Sequence, residues 1–112
     1  MKSQKLIEKF LLKINTEYLE YKMYVVGKTA DEIFGMAYEI DYKTRIFVLL
    51  RDRADLMPEY VLKALIKMPD LIYLIYDMWL KQPDSAEDEL EEFTRKSIRI
   101  ISDSAIALRK GA

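Results

Sequence analysis

The side chains able to do chemistry here form a short roster: among the 112 residues there is neither histidine nor cysteine. Those two absences remove Ser-His-Asp and Cys-His catalysis, disulfides, thiolate nucleophiles and the sulfur- or imidazole-based zinc sites. Carboxylates, lysines, tyrosines and hydroxyls remain. With glycine only at Gly27, Gly35 and Gly111, no G-x-x-x-x-G-K phosphate loop exists. No carboxylate pair stands out as an acid and base, so the sequence predicts a non-enzymatic protein with no cofactor and no metal.

Four groups of residues are left as candidates for binding. The acidic run Asp84, Glu87, Asp88, Glu89, Glu91 and Glu92 could imitate a phosphate backbone or hold a hard cation, or could simply be a solvated helix start. Its spacing lacks the glycine and alternating oxygens of a calcium loop, and Arg95, Lys96 and Arg99 follow within two turns. Lys2, Lys5, Lys9 and Lys13 place a lysine on nearly every turn of one helix side, a stripe that could touch nucleic acid or only keep the helix solvated. No aromatic residue interleaves with them, and 18 basic against 19 acidic residues give a net charge of −1, so nucleic-acid binding is disfavoured. Arg51, Asp52, Arg53 and Asp55 alternate near a helix end and suit capping better than a small catalytic or phosphate-handling site.

Tyrosine is the compositional oddity, with 8 copies against 4 phenylalanines and 1 tryptophan. Each buried phenol requires a hydrogen-bond partner, whereas an exposed one offers contact area at low entropic cost. Tyr42, Tyr73 and Tyr76, with Glu87, Asp88 and Glu91, are therefore the residues expected to bear a protein-binding face.

The elements that must position these groups are all helical. Leu6, Ile7, Phe10, Leu11, Ile14, Tyr18, Tyr21 and Val25 recur at three- and four-residue steps from Ser3 to a stop at Gly27. Thr29 to Glu32 spells a capping box that starts a second helix, with Ile33, Phe34, Ala37 and Tyr38 on one face. Around Asp41 the pattern loosens and then resumes at Ile46, Phe47, Leu49 and Leu50, which fits one bent helix or two short ones with a break there, the second being the reading favoured. Asp55 and Pro58 stop one element and start the next, through Val61, Leu62, Leu65 and Ile66. Pro69 and Asp70 open a nearly all-apolar helix from Leu71 to Trp79, expected at the centre. Gln82, Pro83 and Asp84 form the clearest loop before Asp84 or Ser85 caps a last helix. Its buried stripe is expected to be Leu90, Phe93, Ser97, Ile98, Ile101, Ala105 and Leu108, with Gly111 past its end.

No stretch alternates with a period of two, and no linker divides the chain. The prediction is an all-α fold: one domain over 1–112, a compact bundle of about five or six helices. Leu71 to Tyr76 is too short to span a bilayer, and charges at Glu8, Lys9 and Lys13 interrupt any signal-peptide core; a cytoplasmic protein without membrane contact is expected.

The middle of the chain resembles a family of short, uncharacterised helical proteins encoded on Firmicutes conjugative elements and prophages. The matching stretches are Asp31-Glu32-Ile33, Ala37-Tyr38-Glu39, Ile46 and Ala64-Leu65-Ile66-Lys67-Met68-Pro69, followed by Ile72, Ile75, Tyr76 and Trp79. Lys43 and Arg45 depart from the basic-acidic pair expected after the Ala-Tyr-Glu element. The resemblance implies a setting rather than an activity: small accessory proteins of mobile elements bind and disable host machinery, including restriction and CRISPR nucleases. The partner implied is thus another protein, such as a host defence nuclease. A self-associating scaffold, in which the apolar stripes of the long terminal helices pair as a homodimer, and a nucleic-acid binder using the lysine stripe are the alternatives.

Overall fold

A computed structural model of the chain describes residues 4–81 and 90–111, with side chains for residues 91–105 only in the second segment. These residues form six α-helices and no strand: α1 (Gln4–Val26), α2 (Ala30–Gly35), α3 (Ala37–Arg53), α4 (Glu59–Lys67), α5 (Leu71–Leu80) and α6 (Leu90–Gly111), with a 3₁₀ turn (Ala54–Leu56) between α3 and α4. The fold is the expected all-α bundle. The lysine at position 2 and the acidic residues at 84–89, including the predicted binding residues Glu87 and Asp88, lie outside the described residues. So do the predicted loop and helix cap at 82–85.

One core joins α1, α3, α4, α5 and α6. Phe10 and Ile14 from α1, Ile46 and Leu50 from α3, Leu62 and Leu65 from α4, and Leu71, Ile75 and Trp79 from α5 are all sealed from solvent. Burying each of these side chains stabilises the fold by roughly 1.5–3 kcal/mol before entropy is counted. As expected, α5 is the most enclosed helix, with Leu71, Ile72, Ile75, Tyr76 and Trp79 buried. Phe93 and Ile101 bring α6 onto the same core, alongside buried Thr94, Ser97 and Ser102. The Ser97 and Ser102 hydroxyls donate to the carbonyls of Phe93 and Ile98, one turn back at 3.0 and 2.8 Å, whereas the Thr94 hydroxyl has no partner. In contrast to the expected stop before Gly111, α6 runs through that residue.

The chain breaks where local chemistry allows it. At the start of α2 the capping box is complete: the Glu32 N–H donates to the Thr29 hydroxyl at 3.2 Å, and the Thr29 N–H to Glu32 Oε1 at 2.9 Å. The next break, however, falls at Met36 and not at Asp41. Gly35, a weak helix former, ends α2, and Met36 (φ −97°, ψ 7°) leaves helical geometry, its N–H reaching the carbonyls of Glu32 and Ile33. From Ala37 the helix runs unbroken through Asp41, whose carboxylate pairs on the exposed flank with Arg45, at 3.1 Å. The buried positions Tyr42, Lys43, Ile46, Phe47 and Leu50 keep helical spacing throughout, and the pattern looks loose only because one of them is a lysine.

Candidate functional site

An open groove of about 530 Å³ lies where α1, α3 and the start of α5 converge, lined by Glu17, Glu20, Tyr21, Tyr24, Glu39, Lys43, Asp70, Ile72 and Tyr73. The four contributions of α1 come at steps of three and four residues, which places them along one side of that helix. Glu39 and Lys43 do the same from α3, one turn apart.

Glu17 fixes the third wall. Asp70 precedes α5 in the left-handed conformation (φ 50°, ψ 52°), which an aspartate tolerates better than most residues, and its side chain caps nothing. The orphan N–H of Ile72 in the first turn of α5 instead donates to Glu17 Oε1, 55 residues away in sequence, at 3.0 Å. The other oxygen of Glu17 meets the Lys13 ammonium at 2.8 Å. An acid of α1 thus serves as the N-terminal cap of α5 and holds the two helices in register.

At the floor of the groove Lys43 is almost wholly buried, its ammonium 4.3, 5.2 and 5.4 Å from the ring centres of Tyr21, Tyr73 and Tyr76 and 3.8 Å from Glu39 Oε1. Three π faces and one carboxylate replace the water that the cation has lost. The Tyr21 hydroxyl donates to Glu39 Oε2 at 2.8 Å. Burial first, then that hydrogen bond and the charge of Glu39, push the Tyr21 phenol well above the usual tyrosine range. Burial, followed by the charge of Glu39, pushes the Tyr76 phenol up as well. Both stay protonated at neutral pH, so neither is a phenolate base.

The rim differs from the floor. Tyr24 and Tyr73 are exposed, the former with the Lys28 ammonium 4.5 Å from its ring centre. Glu20 and Asp70 have no ion-pair partner among the described residues. Four carboxylates face one ammonium among the lining residues, and the outer pair is unneutralised. Such a rim suits a guanidinium or ammonium wedged between phenol rings. Among the described residues no three acids are grouped to hold a metal ion.

The predicted binding residues separate in space. Tyr73 stands at the groove rim, 57% exposed, but Tyr42 and Tyr76 are only 3% and 6% exposed and cannot present a face to a partner. Tyr42 is held by aromatic packing: Tyr38, Tyr42 and Trp79 stack in sequence with centroids 4.4 and 5.5 Å apart, and the Trp79 indole meets Phe93 edge-on at 5.4 Å, whereas the Tyr76 ring faces the Lys43 ammonium. Glu91 is exposed yet engaged inside the molecule, accepting from Arg53 of α3 and from Arg95 one turn on, the latter at 3.2 Å. In the lysine stripe, Lys13 is committed to Glu17, whereas Lys5 and Lys9 are exposed.

No comparison supplies a relative. Neither family models, nor curated proteins, nor solved structures match this chain. The site is therefore read from its geometry. Sequence reasoning missed Glu17, Glu20, Tyr21, Tyr24, Glu39, Lys43 and Asp70. The signal available was the pairing of acids with tyrosines, Glu17 with Tyr21 and Glu20 with Tyr24, at four-residue steps of α1. Among the described residues no helix is long and apolar enough to cross a membrane.

Proposed function

We propose that this chain is a non-catalytic accessory protein that binds another protein, gripping a cationic side chain of its partner in the acidic, tyrosine-rimmed groove between α1, α3 and α5. The observation that carries this reading is the contrast within the groove. Lys43 already satisfies the cage of Tyr21, Tyr73 and Tyr76 from within, while Glu20 and Asp70 at the mouth are left without a cation beside exposed Tyr24 and Tyr73. An arginine is the best match, because its planar fork meets carboxylates while its face stacks on a phenol.

The sharper form of the proposal follows the resemblance to the mobile-element family: the partner is a host defence nuclease, of the CRISPR or restriction class, and binding occludes its working surface in the cytoplasm. The test is capture from host lysate with the wild-type chain and with a Glu20→Gln/Tyr73→Ala variant, followed by a nuclease-protection assay on target DNA. Capture and protection by the wild type, both lost in the variant, are expected. An identical captured set for both chains, or target DNA cut at the uninhibited rate, would overturn the reading.

A further inference from the structure

The outward side of α1 carries a second surface, separate from the groove. Leu12, Leu19, Met23 and Val26 are 59–73% exposed, although each is a large apolar side chain. At 100° per residue they fall within an arc of about 60°, opposite the buried Phe10 and Ile14, and extend about 21 Å along the helix. Between Leu12 and Val26 only Asn15 and Thr16 lie within about 20° of that arc, so the stretch itself bears no charge. The Lys22 ammonium lies 5.8 Å from the centre of the Tyr18 ring, and Glu20 lines the groove.

We infer that this stripe is a homodimer interface in which two copies of α1 cross antiparallel about a two-fold axis at Leu19. The spacing is self-complementary. Leu12 and Val26 stand seven residues before and after Leu19, so an antiparallel two-fold there sets Leu12 against Val26 of the second copy and Leu19 against its own symmetry mate. Met23 and Asn15, four residues to either side of Leu19, also face one another, which places an uncharged residue opposite every apolar one. A parallel pairing would instead put Lys5 and Lys9 against the same lysines of the second copy.

Electrostatics favour the same arrangement. The first turn of α1 holds no acid and its last turn no base, so its own side chains leave both ends of the helix dipole uncompensated. In the antiparallel pair the N-terminal end, where Lys5 and Lys9 outnumber Glu8, lies beside the negative C-terminal end of the second α1. The acids Asp31 and Glu32 of α2 follow directly on that end and outweigh Lys28, whose ammonium is held at the Tyr24 ring. A stripe of four apolar side chains per copy belongs at the small end of specific interfaces, the size class of weak, reversible association.

The experiment is sedimentation equilibrium on the wild-type chain, Leu19→Glu, Leu19→Lys and an equimolar mixture of the two variants. The wild type is expected to be dimeric at high micromolar concentration, each variant monomeric, and the mixture dimeric again, because the opposite charges meet across the axis. Unchanged helical circular dichroism shows that these surface variants remain folded. As the chain has no cysteine, Leu12→Cys should crosslink to Val26→Cys under mild oxidation far faster than to itself. A wild type that stays monomeric at high micromolar concentration, a mixture that fails to reassociate, or Leu12→Cys chains that crosslink fastest with each other would each overturn the inference. Neither Glu20 nor Tyr73 is in the stripe, so the groove variant should still dimerise.

Discussion

Phe10 and Leu12 stand two residues apart on α1, are both large and apolar, and share the same local helical geometry, yet Phe10 is fully buried and Leu12 is 68% exposed. The inward side of the helix is fixed by what α3, α4 and α5 place against it; on the outward side Leu12, Leu19, Met23 and Val26 are left more than half exposed. Apolar character by itself therefore does not separate a core residue from an interface residue. What separates them is whether the rest of the chain has already covered the position.

The contrast can be broken by truncation. Phe10→Ala leaves a cavity in a close-packed core and is expected to cost about 3–5 kcal/mol of unfolding free energy, seen as a large drop in the urea midpoint at any protein concentration. Leu12→Ala should change the stability of the monomer by no more than about 0.5 kcal/mol. Equal losses at the two positions would erase the distinction between the sides.

The groove side of α1 supplies the intermediate case. Glu17→Ala removes the cap on Ile72 and strands Lys13, with an expected loss of about 1–2 kcal/mol, whereas Glu17→Gln keeps an acceptor for the N–H and should lose less. Hydrogen exchange at the Ile72 amide reports this directly: exchange should quicken more in the alanine variant than in the glutamine variant.

Titration gives a smaller effect. Because folding raises the phenol pKa of Tyr21, the native state holds that proton more tightly than the unfolded chain. The stabilisation is fully present below about pH 10, the unfolded value, and is lost as pH rises towards the folded one. Urea titrations at rising alkaline pH should show stability falling from there, and less steeply for Tyr21→Phe. The smallest expected gain belongs to Thr94→Val, which replaces an unpartnered buried hydroxyl with a methyl group of similar size and should raise stability by up to about 1 kcal/mol.

Much of the fold was legible because local signals and the apolar repeat agreed. The extent of α1, the capping box at Thr29 and Glu32, the breaks at Pro58 and Pro69, and the enclosure of α5 all follow from nearest-neighbour chemistry. The reading failed at Asp41 because Lys43 occupies a core position: a lysine in the repeat resembles an interruption until the three tyrosine rings that receive it are brought together. Tyr42 and Tyr76 were misplaced for a related reason, since a tyrosine at helical spacing fits a core or a surface equally well. The site was less legible than the fold. Its defining contacts join Glu17 to Ile72 and Lys43 to Tyr73, pairs 55 and 30 residues apart, whose meeting depends on how the helices cross.

Trp79 carries one further consequence. It is the sole tryptophan, sealed in the core, with its indole N–H donating to the Tyr38 hydroxyl at 3.0 Å and three aromatic rings within reach. The chain thus contains its own optical gauge. Excited selectively, that indole should emit at short wavelength while the helices are assembled and shift to the red when water reaches it, so dye-free fluorescence follows unfolding from the point where α3, α5 and α6 meet.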